Sequence, residues 1–129
     1  MFDDLYFVAT KYTPDVSLQC NGRMSFIGRS YPENAYEFYQ PVLAWVREYF
    51  SFSDSSKNVW VDFEISYFNS SSSKIFYELL SVFDQYNENF AIKVRWIYDV
   101  DNDNAQEAGE DFIEDFPALS IQMMVLPSE

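Results

Sequence analysis

Apolar positions along the 129-residue chain switch between two periods, and the switches outline its elements. Neither period holds over the first 14 residues, and Thr13-Pro14 reads as the end of an irregular arm. "VSLQC" and "RMSFIG" both alternate and are joined by Asn21-Gly22, the strongest short hairpin signal, which predicts antiparallel strands at about 15–20 and 23–28. "SYPENAYEFYQPVLAWVREYFSF" changes to a helical period, with Ala35, Phe38, Val42, Trp45 and Tyr49 forming one stripe. Pro41 interrupts it, which predicts either a kink there or a separate turn over 33–39 before a helix that begins at Pro41. "SFSDSSKN" follows as a polar loop.

"VWVDFEISYF" (59–68) alternates again, with Val59, Val61, Phe63, Ile65 and Tyr67 on one face and Asp62, Glu64 and Ser66 on the other. Ile75, Leu79, Val82, Phe83 and Tyr86 then predict a helix from Ser71 to about Asn87. In "FAIKVRWIY" (90–98), Ile92, Val94, Trp96 and Tyr98 oppose Lys93 and Arg95. If this strand pairs with 59–68, its two cations share a face with Asp62 and Glu64. "DNDNAQEAGEDFIEDF" is a short acidic helix with Ala105, Ala108 and Phe112 inward, and "ALSIQMMVL" is a last strand. The order ββαβαβαβ predicts an α/β domain over 1–129. Right-handed crossovers of this length give a mostly parallel sheet with a hairpin at one edge and helices packed on it.

Composition narrows the class. Hydrophobic residues at 48% and aromatics at 20% support a large aromatic core and exclude a disordered chain. Asp and Glu number 21 against 8 Lys and Arg, so a net charge of -13 argues against nucleic acid and membrane surfaces and favours a protein partner with a basic patch. No apolar run approaches the roughly 20 residues that span a bilayer, and the acidic "MFDDLYFVAT" is unlike a signal peptide, so a cytoplasmic location is expected. Without histidine, Ser-His-Asp and Cys-His catalysis and most zinc sites are excluded. Cys20 stands alone and reads as a small apolar residue. No cofactor or metal is expected.

"YFNSSSSKIFYELL" places four serines where a strand's carboxyl end turns into a helix. One of Asn69 to Ser73 suffices to cap that helix, worth about 1 kcal/mol, and five consecutive candidates exceed that need. A helix N-terminus also welcomes an anion. Phosphate on Ser70 or Ser71 would add about -1.5 to -2 charge there, with Asn69 and Ser72 beside it and Lys74 one turn on to help neutralise it.

Four ordered stretches between about Gly22 and Asp115, "SYPENAYEFYQPVLAWV", "YFNSSSSK", "WIYD" and "EAGEDFIED", resemble the SiaC family of bacterial regulatory phosphoproteins. The resemblance implies a fold related to STAS-domain anti-sigma factor antagonists, whose phosphorylatable residue lies in an Asp-Ser-Ser turn at a helix start. It implies a signalling protein rather than an enzyme. A serine/threonine kinase would modify it, a PP2C-type phosphatase would restore it, and the unmodified form would bind and activate a diguanylate cyclase. The output would be cyclic di-GMP and biofilm growth or aggregation. The family's acceptor is a Thr in an Asn-Thr-Ser-Ser turn, and Ser70 holds that place; alignment with the Asp-Ser-Ser turn would favour Ser71 instead. An anti-sigma factor antagonist type of partner switching is the alternative within this class.

"SYPENAYEFY" is the second family-like stretch. Pro32 and Asn34 suit a turn into a helix, while Tyr31, Tyr36 and Tyr39 exceed what one core stripe needs. With Glu33 they are candidates for partner contact, because Tyr buries area and keeps a polar tip. Two readings of another class remain. From Asp99, carboxylates fall at positions 1, 3, 5 and 12 of a calcium-loop pattern (Asp99, Asp101, Asp103, Glu110), but Asn104 replaces the turn glycine and a strand precedes it. Glu107, Glu110 and Glu114 could do acid–base work in an enzyme, yet their spacing fits the solvated face of the last helix.

Overall fold

The first strand is one that the sequence pattern does not mark. In the computed structural model, which describes residues 3–52 and 58–127, β1 (Leu5–Phe7) pairs antiparallel with β2 (Asp15–Leu18). Three residues are too few to carry a period, and the partner strand supplies their hydrogen bonds. Ahead of β1, Asp3 is held by the Trp45 indole N–H, which donates to its carbonyl at 2.8 Å.

From β2 onward the predicted ββαβαβαβ order is present. β2 turns through Asn21-Gly22 into β3 (Arg23–Ser30), followed by α1 (Ala35–Phe52), β4 (Asn58–Phe68), α2 (Ser70–Tyr86), β5 (Ala91–Asp99), α3 (Asp103–Asp115) and β6 (Ser120–Leu126). The six strands lie in chain order, with β3 to β6 parallel. Right-handed crossovers that all step the same way put every helix on one face. Burial agrees: Val59, Val61, Phe63 and Ile65 of β4 are buried, while Trp60 and its neighbours on the other face stay partly open. The expected charge match lies on that open face. Asp62 sits opposite Arg95 and accepts two hydrogen bonds from it, at 2.7 and 2.6 Å. Lys93 lies 5.2 Å from the centre of the Trp60 ring.

Two expectations need correction. Of the two alternatives at Pro41 the separate turn is overturned: α1 is one helix from Ala35 with Pro41 inside it, on its exposed side, and the Asn34 side chain accepts the Glu37 N–H at 3.1 Å to begin it. Tyr67 leaves the buried face. Gly28 pairs with Ile65 but Arg29 pairs with Tyr67, so Ser66 is an extra residue in β4. This bulge reverses the alternation. Tyr67 is 54% exposed and stacks edge-on against Tyr31, while Phe68 turns inward onto Phe76 and Trp96. Of the polar loop expected over 51–58, Ser51 and Phe52 belong to α1 and Asn58 to β4, and 53–57 lie outside the described residues.

α3 approaches the sheet closely at Gly109. A Cβ there would meet Trp96 Cδ1 at 2.6 Å and the Met123 methyl at 2.9 Å. Gly109→Ala should therefore lower stability by about 1 kcal/mol, because overpacking costs about 1–3 kcal/mol and the helix gain from alanine returns about 1. Urea unfolding measures the net change; a stabilised variant would show that α3 can lift without cost.

Candidate functional site

Each parallel strand of the α/β repeat delivers its carboxyl end to one edge of the sheet, and each helix starts there with an asparagine. Asn34, Asn69 and Asn102 accept backbone N–H groups from Glu37, Ser72 and Ala105 at 3.1, 2.9 and 3.1 Å. This splits the serine run by role. Asn69 is the cap of α2, leaving the serines free of that duty. Ser70 and Ser71 occupy its first two positions, are exposed, and among the described residues their hydroxyls make no hydrogen bond. Their N–H groups belong to the unpaired set at a helix start. Ser72 points the other way and is fully buried.

Ser72 joins a polar chain that the sequence reading missed. The Ser30 hydroxyl, also fully buried, donates to Ser72 Oγ at 2.8 Å and lies 2.6 Å from the Tyr39 hydroxyl. A serine has one hydrogen to give, so Tyr39 donates to Ser30. The Ser30 carbonyl also accepts the Asn69 N–H at 3.1 Å. Burial pushes the Tyr39 hydroxyl well above the usual tyrosine range, so the chain stays neutral. Nothing local in the sequence marks Ser30, because its partners lie 9 and 42 residues away.

The two family-like stretches meet in space. An open depression is lined by Glu33, Asn34, Tyr36 and Glu37 from the start of α1 and by Ser71, Lys74 and Ile75 from α2. Of the candidate contact residues, Tyr36 is 60% exposed, Glu33 and Asn34 are exposed, and Tyr31 is half-buried. Tyr39 and Pro32 are buried, so they pack the interior and present no contact surface. Lys74 is exposed and lines the same depression as Glu33 and Glu37.

The acidic segment does not gather on an ion. Asp103 and Glu110 sit on one helix, separated by about 10 Å of axial rise, and Asn102 uses its side chain to cap α3 and to donate to the Ser66 carbonyl at 2.8 Å. Among the described residues no group of three or more His, Cys, Asp or Glu could hold a metal. Glu107, Glu110 and Glu114 are all exposed on α3. No helix of the described residues is long and apolar enough to cross a membrane.

The chain is similar to known proteins over most of its length. A family model described as SiaC family regulatory phosphoprotein matches residues 7–126. An uncharacterized protein of Pseudomonas aeruginosa strain UCBPP-PA14 is 32% identical over 114 residues, covering 87% of this chain and 89% of the relative. The crystal structure of apo-SiaC from Pseudomonas aeruginosa superposes with a TM-score of 0.84 at 27% identity, covering 95% of this chain and 99% of that one. A chain in the crystal structure of the diguanylate cyclase SiaD in complex with its activator SiaC, from the same organism, gives 0.87 at 28% identity, covering 95% and 100%.

Proposed function

The chain belongs to the SiaC family of regulatory phosphoproteins, and from that premise we propose that it is a non-enzymatic activator of a diguanylate cyclase, switched off by phosphate on the Ser70–Ser71 turn. One observation carries the reading: at the positive end of α2 two hydroxyls are exposed and make no hydrogen bond among the described residues, and the second, on Ser71, faces the start of α1 across a depression. The unmodified turn offers a partner its N–H groups and the Lys74 ammonium. A phosphate occupies those donors and fills the space. At Ser71 it also adds a dianion to a depression lined by Glu33 and Glu37, and at either position the dianion must shed water before any partner surface closes over it. A serine/threonine kinase and a PP2C-type phosphatase would set the balance, with Ser70 the first acceptor and Ser71 the second.

The test is binding of the full-length chain to its cognate cyclase, by calorimetry, with phosphoserine installed at 70 or at 71. Modification at the acceptor should weaken binding about tenfold or more, and Ser70→Ala and Ser71→Ala should bind like the unmodified protein. Equal affinity of both phosphorylated forms and the unmodified chain would refute the switch.

A further inference from the structure

We infer that Ser30 is the positioning residue that couples the serine turn to the start of α1, so that modification of α2 is read on the other side of the depression. The inference rests on the switch proposed above and adds how it is transmitted. Ser30 ends β3 and reaches both neighbours. Its carbonyl takes the N–H of Asn69, the cap of α2, and its hydroxyl bonds Ser72, the third residue of the same helix. The same hydroxyl receives the Tyr39 hydroxyl, one turn into α1 from exposed Tyr36. Three elements are thus tied through three hydroxyl groups with no exposed surface, on residues 30, 39 and 72. Buried hydroxyls are costly to leave unpaired, so neither helix start can shift alone: if Ser72 moves, Ser30 must find another acceptor or Tyr39 must follow. Ser70 and Ser71 immediately precede Ser72 in the first turn of α2. A dianion that draws that turn's N–H groups and Lys74 toward itself acts directly on the end of this chain.

The experiment uses hydrogen exchange by mass spectrometry on the full-length protein carrying phosphoserine at the acceptor position, compared with the unmodified protein. Phosphate should change exchange at least threefold over residues 35–40 as well as over the serine turn. Tyr39→Phe keeps the ring and removes one hydroxyl; it should abolish the response of 35–40 while the response of the turn survives. Ser30→Ala should do the same. As a second measurement, Tyr39→Phe and Ser72→Ala, which among the described residues share Ser30 as a hydrogen-bond partner, should combine to lower the folding equilibrium constant several-fold less than the product of their separate effects. The coupling is overturned if phosphate leaves 35–40 unchanged in the parent protein, if Tyr39→Phe responds as the parent does, or if the two substitutions act independently. Loss of cyclase binding on phosphorylation with 35–40 silent would defeat this coupling alone. A change at 35–40 without loss of binding would defeat the switch alone.

Discussion

Trp96→Ala should lower the stability of the fold by about 3–5 kcal/mol, at the top of the range for truncating a buried side chain. Trp96 is 2% exposed and is the ring on which β4, α2 and α3 meet. Its centroid lies 5.8 Å from Phe63, 5.9 Å from Phe68, 6.3 Å from Phe76 and 5.1 Å from Phe112. Its indole N–H donates to the Ala105 carbonyl at 2.7 Å, which fixes α3 over β5. Removing the ring opens a void that four aromatic neighbours on three elements cannot close together. Urea unfolding should show the loss with little change in slope. Trp96→Phe should cost less, about 1–2 kcal/mol, because a ring remains and one hydrogen bond is lost. Since Phe relieves the contact over Gly109, adding Gly109→Ala to it should cost less than Gly109→Ala does alone. A loss below 1 kcal/mol for Trp96→Ala would mean that α3 is not anchored there.

What could be read in advance depended on whether a feature is local. The Asn21-Gly22 hairpin, the alternation of β5 and that of β4 as far as Ile65 are written into neighbouring residues, and each is found; the Asp62–Arg95 pair follows once those two strands are set side by side. The serine turn was also legible as a helix start, because Asn69 follows an alternating run and precedes a helical one. What escaped depends on contacts across the chain. The Ser66 bulge reverses the face of Tyr67, and it is tied to a distant element through Asn102. Ser30 has no local signature at all. Tyr39 looked like a surplus aromatic ring suited to a partner, and only the fold shows that its hydroxyl is consumed internally. The same distinction sorts the four serines, which are identical as letters: helix phase sends 70 and 71 outward and 72 in.

Gly22→Ala should cost about 3 kcal/mol, and for two separable reasons. The backbone at Gly22 has φ of 99°, which a side chain makes strained by about 1–3 kcal/mol. The hairpin turn also presses against the start of β4. A Cβ at 22 would lie 2.5 Å from the Asn58 carbonyl oxygen and 3.3 Å from the Tyr49 hydroxyl, and the backbone atom cannot swing aside as a side chain could. Moving the turn away would break the bond from the Trp60 N–H to the Gly22 carbonyl, 2.9 Å long, which holds the hairpin to the parallel sheet. Overpacking of this kind adds about 1–3 kcal/mol. Gly22→Asn separates the two causes, since asparagine tolerates a left-handed backbone but carries the same Cβ. If the close approach to Asn58 dominates, Asn recovers only a small part of the loss in chemical denaturation. A nearly wild-type Gly22→Asn protein would show that turn conformation alone selects glycine, and that the hairpin can stand off β4 without penalty.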